Sequence, residues 1–157
     1  MLKVDPPEIK PPETKEEKTA TEEKEDFVMP VQGEIINDYS GSVPVKSKTM
    51  GDWRVHSGID IKAEIGTAVV APAGGKVIKA SYDRLTGNTV SIEHTDGVVS
   101  TVYNLESISV SEGQKIKSGE KIGTAGQSAA LEMADEPHVH FEVKKDGKTA
   151  NPKNYIK

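Results

Sequence analysis

The chain of 157 residues contains no cysteine, which removes disulfides and thiolate metal ligands together and leaves histidine and carboxylates as its strong transition-metal ligands. Any metal site is therefore of nitrogen and oxygen type. The absence of cysteine is compatible with an extracytoplasmic domain that uses no disulfides. Positive charge is not in surplus either: 20 basic against 25 acidic residues give a net charge of −5, which sets aside nucleic acid and anionic membrane as electrostatic partners. No run of about 18 to 20 apolar residues is present, so no segment is expected to span a bilayer. Met1 leads directly into charged and proline-rich sequence. The same beginning would arise if a membrane anchor lay just upstream, so membrane attachment is expected only through a segment absent from this chain.

Residues 1–26 lack glycine and aromatic side chains and carry four of the nine prolines with nine acidic and five basic residues. Such a segment cannot bury enough apolar surface to offset an ordering cost of about 1 to 2 kcal/mol per residue. It reads as a disordered Pro/Glu/Lys-rich tether, stiffened toward polyproline II by Pro6-Pro7 and Pro11-Pro12. From Phe27 to Lys157 the composition changes: all fourteen glycines lie here, and 15 basic against 16 acidic residues leave the segment almost neutral. The folded domain is expected over 27–157.

Short β-type runs recur in that domain: Ala68 to Ala71, Lys76 to Ala80, Thr89 to His94, Val98 to Tyr103 and His138 to Lys144. Gly74-Gly75, Thr86-Gly87-Asn88, Asp96-Gly97 and Asp146-Gly147 mark reversals, and Asp-Gly favours the type I′ hairpin turn. The expected fold is mainly β, an antiparallel sheet with little helix. Ser128 to Asp135, stopped by Pro137, is the best short helical candidate.

Two of the four histidines stand at i and i+2 in His138-Val139-His140-Phe141-Glu142-Val143. With a side-chain period of two, His138, His140 and Glu142 share one face of a strand, while Val139, Phe141 and Val143 enter a core on the other. Upstream, in His56-Ser57-Gly58-Ile59-Asp60, Gly58 argues against helix. His56 is expected on a loop that turns at Gly58 and delivers Asp60 at the start of a strand. Two imidazole nitrogens, one of them from the His138/His140 pair, and one carboxylate oxygen suit Zn²⁺ and leave its fourth position open. Glu142 is either an acceptor that orients a histidine or an exposed strand carboxylate. His94, at a strand end beside a turn, reads as structural. Trp53 and Tyr82 either line a groove or pack.

The order His-x-x-x-Asp and, far downstream, His-x-His resembles the lysostaphin-type zinc metallopeptidases, the LytM domain family. The likeness runs from about Met29 to Tyr155 and includes Met29 to Gly33, His56 to Ile61, Gly66 to Ala80, Gly113 to Gly119 and His138 to Val143. What the resemblance implies is a domain that cuts peptide cross-bridges in peptidoglycan, with His56, Asp60 and His140 on zinc and His138 beside it as a catalytic histidine. The family usually carries a further catalytic histidine in a Tyr-x-His-Leu segment. Here the chain reads Tyr103-Asn104-Leu105, so Asn104 stands where that histidine is expected, and an amide exchanges no proton near neutral pH.

Intact ligands, a damaged catalytic set and a polar tether together resemble a narrower sporulation group within the family, that of stage II sporulation protein Q in endospore-forming Firmicutes. This resemblance implies anchoring in the forespore membrane, with the domain facing the intermembrane space of the engulfed forespore. It also implies pairing with a stage III sporulation protein AH-like partner domain from the mother cell, as part of an intercellular channel. Two further readings stand beside it, an active zinc-dependent peptidoglycan endopeptidase and an activator of a separate cell-wall hydrolase. The hairpins from Gly66 to Ala80 and Gly113 to Gly123 also resemble biotinyl and lipoyl carriers, but no lysine sits at a matching hairpin tip.

Overall fold

The structure is a computed structural model that describes residues 26–127 and 136–157. The expected tether, apart from Asp26, and the expected helix over Ser128 to Asp135 lie outside them. The described residues form a mainly antiparallel β fold. Numbered in chain order, the principal sheet runs β1 (Ile35–Asn37), β4 (Ile59–Lys62), β11 (His138–Lys145), β8 (Val98–Ile108), β7 (Gly87–Glu93), β6 (Gly75–Asp83) and β9 (Lys115–Ile116) from edge to edge. β5 (Ala68–Val70) pairs with β10 (Lys121–Ala125), which also pairs with β8, and β12 (Lys148–Ala150) extends β11. β2 (Pro44–Lys46) and β3 (Trp53–Val55) form a separate two-stranded hairpin.

Turn chemistry sets the registers. Asp96 (φ 58°) with Gly97 (φ 72°), and Asp146 (φ 52°) with Gly147 (φ 84°), each place two successive residues in the left-handed region, as a type I′ turn requires. The Val98 amide closes the first turn on the Thr95 carbonyl at 3.2 Å. The second is a two-residue loop between the paired Lys145 and Lys148.

Side-chain alternation then builds the core. Ile59, Phe141, Val102 and Val90 stand opposite one another across β4, β11, β8 and β7, and all four are at most 1% exposed. At about 1.5 to 3 kcal/mol for each large apolar side chain removed from water, a one-residue slip that turned this row outward would cost several kcal/mol, so the register is strongly specified. The chain joins this core at Phe27, which is buried, with its ring 4.9 Å from that of His94 and 5.5 Å from that of Tyr155. His94 has Nδ1 on the Gly74 carbonyl and Nε2 on Ser100 Oγ, both at 2.7 Å, which ties two strands and a loop together.

The β2–β3 hairpin pairs with no strand of the principal sheet, and Val43 just before it, with Val45, Trp53 and Val55 within it, are all exposed, Trp53 by 68%. Tyr82 is also exposed, so it and Trp53 neither pack in the core nor line the main cleft.

Candidate metal centre

Residues directly opposite in antiparallel strands share a face of the sheet, and the pairing β1–β4–β11–β8 sets Asn37, Asp60, His140 and Tyr103 in one transverse row. The core row lies on the other face. The face carrying Asp60 and His140 opens into a cleft of about 640 Å³, whose walls include Tyr39, Val45, Arg54, Val55, His56, Tyr103 and Glu142. His56 follows β3 on the short connection to β4, and its backbone is held there by a reciprocal pair: the His56 amide donates to Ser40 Oγ at 2.7 Å, and the Ser40 amide donates to the His56 carbonyl at 2.9 Å.

One ligand atom from each of His56, Asp60 and His140 lies within 4.8 Å of the others. The ring environments fit a cation at their centre. His56 Nδ1 donates to the Asp38 carbonyl at 2.9 Å, which leaves Nε2 as the nitrogen with a lone pair. That Nε2 is buried without a hydrogen bond; it stands 3.3 Å from Asp60 Oδ2, an ion-pair distance without hydrogen-bond alignment. His140 approaches Asp60 Oδ1 through Nδ1 at 2.7 Å and Glu142 Oε2 through Nε2 at 3.1 Å. Each imidazole thus has an acceptor behind it and the Asp60 carboxylate in front, the pattern by which outer partners select the ligating nitrogen. Two nitrogens and one oxygen, buried and convergent, suit Zn²⁺ among biological cations.

Asp60 stands near the start of β4 and the chain bends at Gly58 just before it, as the sequence suggests, and the glycine does more there than turn the loop. A Cβ there would overlap the Phe141 carbonyl oxygen and lie 2.8 Å from Glu142 Cγ, so glycine allows the loop to lie against β11. Glu142 is 8% exposed and bonded to His140 and to Ser57 Oγ (2.5 Å), which places it at the site and rules out the exposed strand carboxylate. His138 is fully buried, with Nδ1 on the Glu136 carbonyl at 2.6 Å and Nε2 3.7 Å from Asp60 Oδ1.

Asn104 does not face the cleft. It has a positive φ of 69° and occupies a bulge in β8, where the register against β7 shifts between Asn88 and Val90. Asparagine tolerates this left-handed conformation better than most side chains. Its amide nitrogen donates inward to the His138 carbonyl at 2.8 Å, and its backbone N–H donates to the Thr86 carbonyl. The β8 side chain that faces the metal ligands is Tyr103, with its ring 5.3 Å from that of His140 and its hydroxyl 3.4 Å from Glu142 Oε1. Residue type alone gave no sign of Tyr103; it follows from the His140–Tyr103 pairing.

Charges in the site are mutually set. Burial works against ionisation of Asp60 and is the largest single influence, but the hydrogen bond from His140, the close approach of His56 and the charges of His140 and His138 outweigh it, holding the carboxyl far below the usual range. Glu142 is likewise lowered: burial opposes, while His140, Ser57 and Lys144 prevail. Burial, reinforced by Glu142, pushes the Tyr103 phenol up, so it stays a donor. Carboxyls lowered in the folded state add stability that is complete above their unfolded values and is lost as pH falls through the folded ones. Denaturant midpoints of the metal-free protein are therefore expected to drop from pH 5 toward pH 2, with a shallower decline in Asp60→Asn. An equally steep decline in that variant would separate the acid sensitivity from this site.

The chain matches the model of Peptidase family M23 over residues 54–152. Stage II sporulation protein Q of Bacillus subtilis (strain 168) is 36% identical over 106 residues, which are 66% of this chain and 37% of that protein. The chain thus spans little more than a third of this curated relative's length. Among solved structures, a chain of the SpoIIQ–SpoIIIAH pore forming complex superimposes with a TM-score of 0.75 at 27% identity, covering 85% of this chain and 92% of that one. A zinc containing peptidase from Vibrio cholerae superimposes with a TM-score of 0.72 at 30% identity, covering 82% of this chain and 39% of that one.

Proposed function

The chain belongs to peptidase family M23, and from that premise we propose that it is a zinc-binding domain with impaired peptidase chemistry, acting as an interaction module in sporulation. In this reading His56, Asp60 and His140 hold Zn²⁺, which when bound supplies a polarising charge for a carbonyl and an acidified water. The observation that carries the impairment is the β8 strand: it turns Tyr103 to the cleft and the Asn104 amide inward to the His138 carbonyl, so it offers no imidazole to move a proton. Loss of one general acid or base forfeits about 10²- to 10⁴-fold in rate. His138 remains as a residual catalytic candidate, but its Nδ1 is committed to a carbonyl.

The partner in this reading is a SpoIIIAH-like domain, supported by the likeness to the SpoIIQ–SpoIIIAH complex. The location is extracytoplasmic, on the forespore membrane and facing the intermembrane space. No helix among the described residues is long and apolar enough to cross a membrane, so attachment would require a segment outside them. The test sets zinc-loaded protein beside an active family member on purified peptidoglycan, and beside a SpoIIIAH-like domain in size-exclusion chromatography. Digestion at least about 100-fold slower, together with a stable complex, is expected. Comparable digestion overturns the impairment, and absence of a complex overturns the partner.

The intact ligand cluster and open cleft favour a second reading, an active peptidoglycan endopeptidase. Zinc-dependent cleavage that disappears in His138→Ala would establish it. An activator of a separate hydrolase would instead accelerate that enzyme on mixing.

A further inference from the structure

Glu142 gathers polar groups from three separate elements. Ser57 Oγ, on the loop before β4, donates to Oε2 at 2.5 Å; His140 Nε2, on β11 itself, meets the same oxygen at 3.1 Å; Tyr103 OH, on β8, donates to Oε1 at 3.4 Å. Ser57 reaches it because Gly58 lets the loop lie against the β11 backbone. Tyr103 reaches it because its cross-strand partner is His140, two residues before Glu142 on the same face.

We propose that Ser57, Tyr103 and Glu142 form a positioning set that holds a proton on His140 Nε2, whether or not Nδ1 also carries one, and turns that Nδ1 toward Asp60 and His56. The inference rests on the zinc reading above and adds to it the origin of the site's preorganisation. A carboxylate with both oxygens engaged has a fixed plane, and a carboxylate in a fixed plane offers the imidazole one acceptor direction. The ring then cannot flip without turning carbon Cε1 toward Glu142 in place of Nε2 and removing Nδ1 from Asp60. A phenol has one proton to donate. Tyr103 spends it on Glu142, so the residue that faces the cleft on β8 supports the ligand and is not a donor to substrate. Outer partners of metal-binding histidines typically govern about 10- to 100-fold in affinity.

The test uses the full chain and zinc itself, with affinity read by competition against a chromophoric chelator. Glu142→Ala is expected to weaken zinc about 100-fold, and Ser57→Ala and Tyr103→Phe about 10-fold each. Glu142→Gln, which keeps an acceptor oxygen for the imidazole, is expected to recover most of the affinity. A second readout needs no metal: in the metal-free protein the His140 Nε2 proton is expected to exchange slowly with water in nitrogen-edited NMR, and to exchange fast in Glu142→Ala. Backbone amide spectra report whether each variant is folded, and Ser57→Ala and Tyr103→Phe, which remove only a hydroxyl, carry the comparison if Glu142→Ala is not. Zinc binding within twofold of wild type in the folded variants, with exchange unchanged, overturns the positioning set and leaves the zinc reading intact. A wild type that does not bind zinc but loses its protected proton in the variants overturns the zinc reading and leaves the positioning set.

Discussion

Asp60→Ala is expected to remove measurable zinc binding and to destabilise the metal-free protein as well. Asp60 is the hub of the site: its carboxylate lies 2.7 Å from His140 Nδ1, 3.3 Å from His56 Nε2 and 3.7 Å from His138 Nε2, and it accepts from Asn37 Nδ2 at 2.9 Å. Structural zinc sites bind with about 10 to 16 kcal/mol over four ligands, so one ligand accounts for about 2.5 to 4 kcal/mol, a factor on the order of 10² to 10³. That equals or exceeds the roughly 100-fold upper effect of an outer partner such as Glu142. Without metal, the variant leaves the His140 and Asn37 donors without their acceptor, at about 1 to 3 kcal/mol for each group that stays dry. The cleft admits water to part of the site, so a loss of about 2 to 3 kcal/mol is expected overall. Asp60→Asn keeps an acceptor oxygen and should recover part of the stability, but not the anionic ligand. Chelator competition and urea denaturation separate the two effects. Zinc affinity within tenfold of wild type in Asp60→Ala would exclude Asp60 as a ligand.

The parts of this site legible in sequence are those governed by local periodicity. In His138-Val139-His140-Phe141-Glu142-Val143 the period of two separates ligand face from core face, and Val139, Phe141 and Val143 are indeed fully buried. The two Asp-Gly turns were readable for the same reason, since a left-handed pair of residues is a local demand. Tyr103 was not readable, because its place beside His140 depends on a pairing between strands 37 positions apart that no local pattern encodes. The setting of Asn104 was not readable either: the motif resemblance marks only that it stands where a histidine is expected, while its backbone conformation gives it a bulge position and an inward amide. The exposed β2–β3 hairpin illustrates a third limit: Val45 and Val55 are apolar yet half-exposed at the cleft wall, on a hairpin that pairs with no strand of the principal sheet.

Gly58 links these two kinds of information, and its substitution is expected to act on the fold and the site at once. Gly58→Ala would drive a methyl group into the Phe141 carbonyl oxygen and to 2.8 Å from Glu142 Cγ. The first of these is backbone in a strand hydrogen-bonded on both sides, to β4 and β8, so it cannot give way; the loop must. Overpacking of this kind costs about 1 to 3 kcal/mol. Withdrawal of the loop also takes Ser57 from Glu142 and shifts His56, two residues away, from Asp60. Zinc affinity should therefore fall by more than the roughly 10-fold expected for the lost Ser57 hydroxyl alone. The comparison of Gly58→Ala with Ser57→Ala isolates the displacement of His56 from the loss of one hydrogen bond. If the two variants bind zinc equally, His56 keeps its place when the loop lifts, and the glycine matters only for packing against β11. If Gly58→Ala binds at least tenfold more weakly while its amide spectrum keeps the sheet resonances, the close approach of the loop at Gly58 is what brings the His56 end of the ligand set to the Asp60–His140 end.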